Sequence, residues 1–132
     1  MAKTVTAEQF GGEIMKSLMD YTEKVAEGTH KAIDKVSKMV MSEIDAHITF
    51  KHRTGEYVGH FAMKTSYKDK YNKRNTWHVK APEYRLTHLL EHGHKTRNGG
   101  MTRKFPHIIY GADLAKRELP ILMKKVIKGE KI

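Results

Sequence analysis

The feature that most limits the fold of this chain is one apolar stripe that starts near residue 7 and continues to about residue 48. Phe10, Ile14, Leu18, Tyr21 and Val25 recur at spacings of four, four, three and four, and Ala32, Val36, Met39, Val40, Ile44 and Ile48 extend the row. This is the period of a helix with a single apolar face. Its start is marked by Thr6-Ala-Glu-Gln9, the pattern of a capping box in which a hydroxyl and an amide each satisfy an orphan backbone N–H. Val5 and Phe10 fall at the positions of a hydrophobic staple. At ~1.5 Å per residue the stripe describes a rod of roughly 60 Å, too long for a compact domain of 132 residues. Either Gly28 breaks or bends the rod, since Gly costs about 1 kcal/mol against Ala inside a helix, or part of the stripe packs on a neighbouring subunit.

After Thr54-Gly55 the period changes. Tyr57, Gly59, Phe61, Met63, Thr65 and Tyr67 alternate with Val58, His60, Ala62, Lys64 and Ser66, the spacing of a strand with one apolar face. Residues 76–80, centred on Trp77 and Val79, read as its hairpin partner. The tip between them, residues 68–75, carries Lys68, Lys70, Lys73 and Arg74 around Tyr71. Such a tip suits contact with phosphates or an acidic partner, and equally suits a soluble loop that blocks edge-to-edge pairing.

Pro82 suits the first turn of a helix, where its missing N–H costs nothing, and Glu83 is well placed at the positive helix end. Leu86, Leu89 and Leu90 lie on one face, and Gly93 is a natural terminator, so a short helix is expected over 83–92. An exposed loop follows over 94–104, with Asn98-Gly99-Gly100 at its tip. Phe105-Pro106-His107-Ile108-Ile109-Tyr110 reads as extended chain, because a residue before proline avoids the helical region. A last amphipathic helix is expected over about 112–127, kinked or divided at Pro120. The expected fold class is therefore α+β in one domain: a helical region (1–50), then a basic region (51–132) with a small antiparallel hairpin, a short central helix and a C-terminal amphipathic helix.

Charge separates the same two regions. Residues 1–50 hold six lysines and eight acids, a balance of −2, whereas residues 51–132 hold nineteen Lys and Arg against seven acids, a balance of +12. A basic half fits nucleic acid or an acidic protein surface, and also a solvated face. The chain has no cysteine, which excludes disulfides and thiolate metal sites. No run approaches about 18 apolar residues, the length of a membrane span, and MAKTVTAEQF lacks the apolar core of a signal peptide, so a cytoplasmic place of synthesis is expected.

His88-x-x-Glu91-His92 matches the inverted zincin pattern. Histidines four apart on a helix point the same way and can share a zinc ion, with the carboxylate deprotonating the bound water. His94 and His107 are candidate third ligands. Against this, Gly93 ends the helix directly after His92, so the pair sits on a fraying turn, and ligands of such sites need rigid support. No cofactor fingerprint, phosphate loop or nucleophile elbow occurs, and the acids are not clustered as in a magnesium nuclease. Tyr67, Tyr71 and Trp77 in the basic half leave single-strand stacking as a further option.

The string from Tyr84-Arg85-Leu86-Thr-His88-Leu89-Leu-Glu91-His92-Gly93-His94 through Arg97-Asn98-Gly99-Gly100 to Phe105-Pro106-His107 resembles the tail-completion, or head–tail joining, proteins of long-tailed bacteriophages. The resemblance spans roughly residues 50–128, with its specific part in 84–107. It implies a non-enzymatic α+β virion subunit without cofactor, whose copies form a ring, expected to be a hexamer, between head connector and tail tube. The candidate contact residues are then Lys68, Lys70, Lys73, Arg74, His94, Lys95, Arg97, Asn98, Arg103 and Lys104, which can form charge-assisted bonds to acidic groups of a neighbouring ring or face DNA without reading its sequence. On this reading His88 and His92 are surface or packing groups, Glu91 pairs with a basic neighbour, and Phe105-Pro106 anchors the loop's return to the core.

Overall fold

The computed structural model describes residues 6–48, 56–81 and 85–132. In chain order these form α1 (Ala7–Ala46), α2 (Glu56–Gly59), β1 (Phe61–Lys68), β2 (Lys73–Val79), α3 (Leu86–His92) and α4 (Ile108–Ile127). The fold is α+β, with a long N-terminal helix, a two-stranded antiparallel sheet, a short helix and a C-terminal helix. Val5, Thr54-Gly55, Pro82, Glu83 and Tyr84, to which the sequence reading gave roles, lie outside the described residues.

α1 starts where its capping box places it. Gln9 N donates to Thr6 Oγ1 at 3.2 Å, and Thr6 N donates to Gln9 Oε1 at 2.9 Å. The helix then runs 40 residues as one element, undivided at Gly28. The expectation of a break fails because Gly28 serves packing. A Cβ there would stand 2.5 Å from Val126 Cγ1, so glycine lets α4 approach the backbone of α1. Gly111 does the same from the other side, where a Cβ would meet Ile44 at 2.7 Å. These two contacts orient the pair: α4 begins beside the C-terminal end of α1 and runs antiparallel to it. The core between them holds Ala32, Val36, Leu122 and Val126, with Val25, Val40, Leu119 and Met123 packed around. Tyr21 marks the limit of coverage, its hydroxyl donating to the Ile127 carbonyl at 2.9 Å. N-terminal to it no other described element covers α1, and every residue from Thr6 to Lys24 is exposed. About 14 residues thus project as an arm of roughly 21 Å.

α4 starts at Ile108, so Ile108, Ile109 and Tyr110 are helical where extended chain was expected, and the helix continues through Pro120 in one piece. The expected strand also begins late: residues 56–59 form the single turn α2, and pairing runs from Phe61↔Val79 to Lys68↔Lys73. β2 starts at Lys73, three residues before the expected partner strand. The register shifts between Thr65 and Tyr67, which turns the alternation over, and Tyr67 is exposed instead of core-facing. Such a bulge leaves one residue unpaired in the ladder; here Ser66 bonds sideways to Thr76 Oγ1 at 2.9 Å. The hairpin lies along α1, tied by Asn75 Nδ2 to Ser37 Oγ at 2.8 Å and by the Lys73–Asp34 ion pair at 2.6 Å. The Lys73 bond, helped by Asn75, holds the Asp34 carboxyl below its ordinary range.

Candidate assembly interface and the histidine segment

The segment that carries the zincin-like pattern is built around a tertiary helix cap. α4 has no local capping side chain: His107, its N-cap residue, makes no side-chain cap bond. The first N–H groups of a helix need acceptors, and Glu91 of α3 supplies them from 16 residues upstream. Glu91 Oε1 accepts from His107 N at 2.9 Å and from Ile108 N at 3.0 Å, and Oε2 accepts from Ile109 N at 3.1 Å. A carboxylate there also meets the positive end of the helix dipole. Burial works to raise the Glu91 carboxyl, but the three backbone donors outweigh it, and the group sits below its ordinary range. The sequence reading paired Glu91 with a basic side chain; its main partners are backbone amides, with His107 Nδ1 also 3.1 Å away.

His107 is fully buried. Its Nδ1 lies 2.8 Å from the Phe105 carbonyl and its Nε2 lies 2.9 Å from the Tyr57 hydroxyl. A single neutral tautomer satisfies both, with Nδ1–H donating to the carbonyl and Nε2 accepting from Tyr57. Burial pushes the Tyr57 hydroxyl above the usual tyrosine range. Phe61 and Trp77 close the cluster, Phe61 edge-on to both Tyr57 and Trp77. One histidine thus ties α2, the hairpin and the start of α4 together. Phe105 packs on this cluster and its N–H donates to the Leu90 carbonyl at 2.7 Å, so the expected anchoring of the loop's return holds.

The histidines of the metal reading are divided between surface and core. His88 and His92 are exposed on α3, whereas His107, a proposed third ligand, is sealed in the core with both ring nitrogens engaged. His94 Nδ1 faces Thr102 Oγ1 at 3.1 Å. Among the described residues no group of three or more His, Asp or Glu is arranged to hold a metal ion. Glu91, the expected general base, has both oxygens committed to backbone N–H groups, and freeing it would uncap α4.

The ten candidate contact residues fall into two separated sets. Lys68 ends β1 and Lys70 sits at the hairpin tip, 3.4 Å from Glu23 of α1. Lys73, expected at the contact surface, has a side chain only 8% exposed and bound to Asp34, so it fixes the hairpin to α1. Arg74 lies in β2 and is exposed. The tip itself is only residues 69–72, closed by Asp69 Oδ1 accepting from Tyr71 N at 2.9 Å and Asn72 N at 2.7 Å. The second set, His94, Lys95, Arg97, Asn98, Arg103 and Lys104, stands on the exposed loop after α3. That loop has its own ladder: Thr102 N donates to the His94 carbonyl and Thr96 N to the Gly100 carbonyl, both at 2.8 Å, with Lys95 bridged to Met101. It leaves α3 through Gly93 at φ 73°, where a Cβ would also collide with the Thr102 carbonyl at 2.8 Å. Gly99 turns the tip at φ 81° with Gly100 beside it, and the Arg103 guanidinium lies 5.5 Å from the Phe105 ring centre. Lys70 is held at Glu23, whereas the second loop leads into α4, whose Gly111 packs on Ile44, about 30 Å further along α1.

A groove of ≈ 450 Å³ runs between His88, Glu91 and His92 of α3 and Pro106, Ile109 and Ala112 at the start of α4. Leu86, on one face with Leu89 and Leu90, is 44% exposed, and Ile109 is 47% exposed. Arg85, just before α3, is exposed as well. No helix among the described residues is long and apolar enough to cross a membrane. Comparison with protein-family models, with curated proteins and with solved structures returned no match.

Proposed function

We propose that this chain is a structural virion subunit that completes the tail of a long-tailed bacteriophage, its copies forming a ring, in the simplest case a hexamer, between head connector and tail tube. The observation that carries this reading is the arm of α1. Phe10, Met15, Leu18 and Met19 are each more than half exposed on a helix whose other half is core. A contiguous apolar face of this kind is a protein-contact surface. The resemblance of 84–107 to head–tail joining proteins supplies the particular setting, and two separate basic regions, at the hairpin tip and on the loop after α3, suit a subunit with distinct neighbours above and below. The role of the histidine segment is then architectural: Glu91 and His107 hold the groove and the basic loop in place, and no bond is made or broken there.

The test is assembly in a phage that encodes this chain. A stop codon early in the gene is expected to leave filled heads and finished tails that do not join, and added purified protein is expected to restore joining. Normal virions from the interrupted gene would contradict the reading.

A further inference from the structure

The arm and the groove lie at opposite ends of the same rigid helix. Ile14 and Ile44 are 30 residues apart on α1, about 45 Å, and the start of α4 packs on Ile44. The arm therefore cannot fold back onto the groove of its own chain. The two surfaces nevertheless match. The arm offers Phe10, Ile14 and Leu18 in a row, each at least 45% exposed, the i, i+4, i+8 anchors of a helix that lies in a groove. The groove is predominantly apolar and includes the exposed Ile109. Charge matches too. Residues 7–24 hold four acids against two lysines, a balance of −2. The loop bearing Lys95, Arg97, Arg103 and Lys104 connects His92 to Pro106, both of which line the groove.

We propose that the arm of one copy, negative on balance, occupies the groove between α3 and the start of α4 on the next copy, whose adjoining loop is basic. This names the partner for the assembly reading above and rests on it. Because the arm and the groove are different surfaces, the contact is head-to-tail; repeated, it closes a ring or extends a filament. Each copy then gives an arm to one neighbour and receives one from the other, leaving the hairpin tip free for a different partner.

The absence of native cysteine makes the test direct. Three single variants of the full chain, Ile14→Cys, Leu18→Cys and Ile109→Cys, change exposed side chains only. Under mild oxidation, a mixture of either arm variant with I109C is expected to give disulfide-linked dimers in several-fold excess over any variant alone. The double variant L18C/I109C is expected to give a ladder of linked multimers, and raised salt is expected to lower both yields. If L18C or I14C alone links as readily as the mixtures, the arms pair with each other; self-assembly survives and the groove assignment falls. If neither arm variant links to I109C, the proposal fails whatever the oligomeric state. Recruitment of the purified chain to tails scores the head–tail reading separately in every case.

Discussion

The two halves of α1 carry the same apolar stripe and meet opposite fates. In residues 25–46 the stripe is core: Val36 is 5% exposed and Ile44 1%. In residues 7–24 the same spacing leaves Phe10 56% and Leu18 57% exposed. The difference lies in what the rest of the chain can reach. α4 is 20 residues long and covers only the half of α1 it runs beside. Periodicity states that a face is to be buried; chain length decides whether one molecule can bury it. The first half of α1 is stable as a helix because it continues a nucleated one, and elongation adds a hydrogen bond for each residue fixed.

The sharpest way to break this contrast is to place a charge in each half. Val36→Asp buries an unpaired carboxylate and is expected to cost about 4 kcal/mol or more, read by urea unfolding. Leu18→Asp is expected to leave the unfolding of dilute protein within about 0.5 kcal/mol while abolishing self-association. Equal destabilisation by the two would mean that the arm is covered within its own chain.

A smaller loss is expected at the end of α4 that carries the groove. Glu91→Ala strips the acceptor from three backbone N–H groups and is expected to cost about 2–3 kcal/mol, with His107 more accessible to water. Its acid dependence has a defined sign. Glu91 is held below its ordinary value of 4.5 by the backbone donors that overcome burial. Its contribution is therefore fully present above that pH and is lost as pH falls through the lower folded value. Asp34, lowered by Lys73, acts in the same direction. The variant E91Q is expected to flatten the acid limb of the stability curve in the D34N background as well; an unchanged limb there would show that the cap carries no charge effect.

The smallest effects compare glycines. Gly12 has open space where a Cβ would stand, so Gly12→Ala is expected to stabilise by about 1 kcal/mol through helix propensity. Gly28→Ala drives a methyl group against Val126 and is expected to destabilise by about 1–3 kcal/mol. Thermal unfolding of the two variants shows whether helix propensity or close packing governs each half.

Much of the architecture was legible. The stripe gave α1, the Thr6–Gln9 box gave its first residue, and the change to a period of two located the hairpin. What stayed hidden is tertiary. Nothing local announces that α4 begins at Ile108, because its cap comes from Glu91 on another helix; the Phe-Pro-His string alone reads as extended. Gly28 resembles a breaker until Val126 is seen beside it. A four-residue turn such as α2 has no period of its own, so Tyr57 and Gly59 passed as strand. At the candidate site the motif residues were found but their work was not: H-x-x-E-H suggests metal chemistry by spacing, while the partners of Glu91 and the burial of His107 depend on a segment 16 residues away.

The central claim is that the arm waits for a second molecule while the rest of α1 is complete. Amide hydrogen exchange across α1, followed from dilute to concentrated protein, tests it most directly. The expected result is fast exchange in residues 7–20 at low concentration, with protection rising as copies associate, and slow exchange in residues 25–46 throughout. Protection of the arm that is identical at every concentration would contradict it.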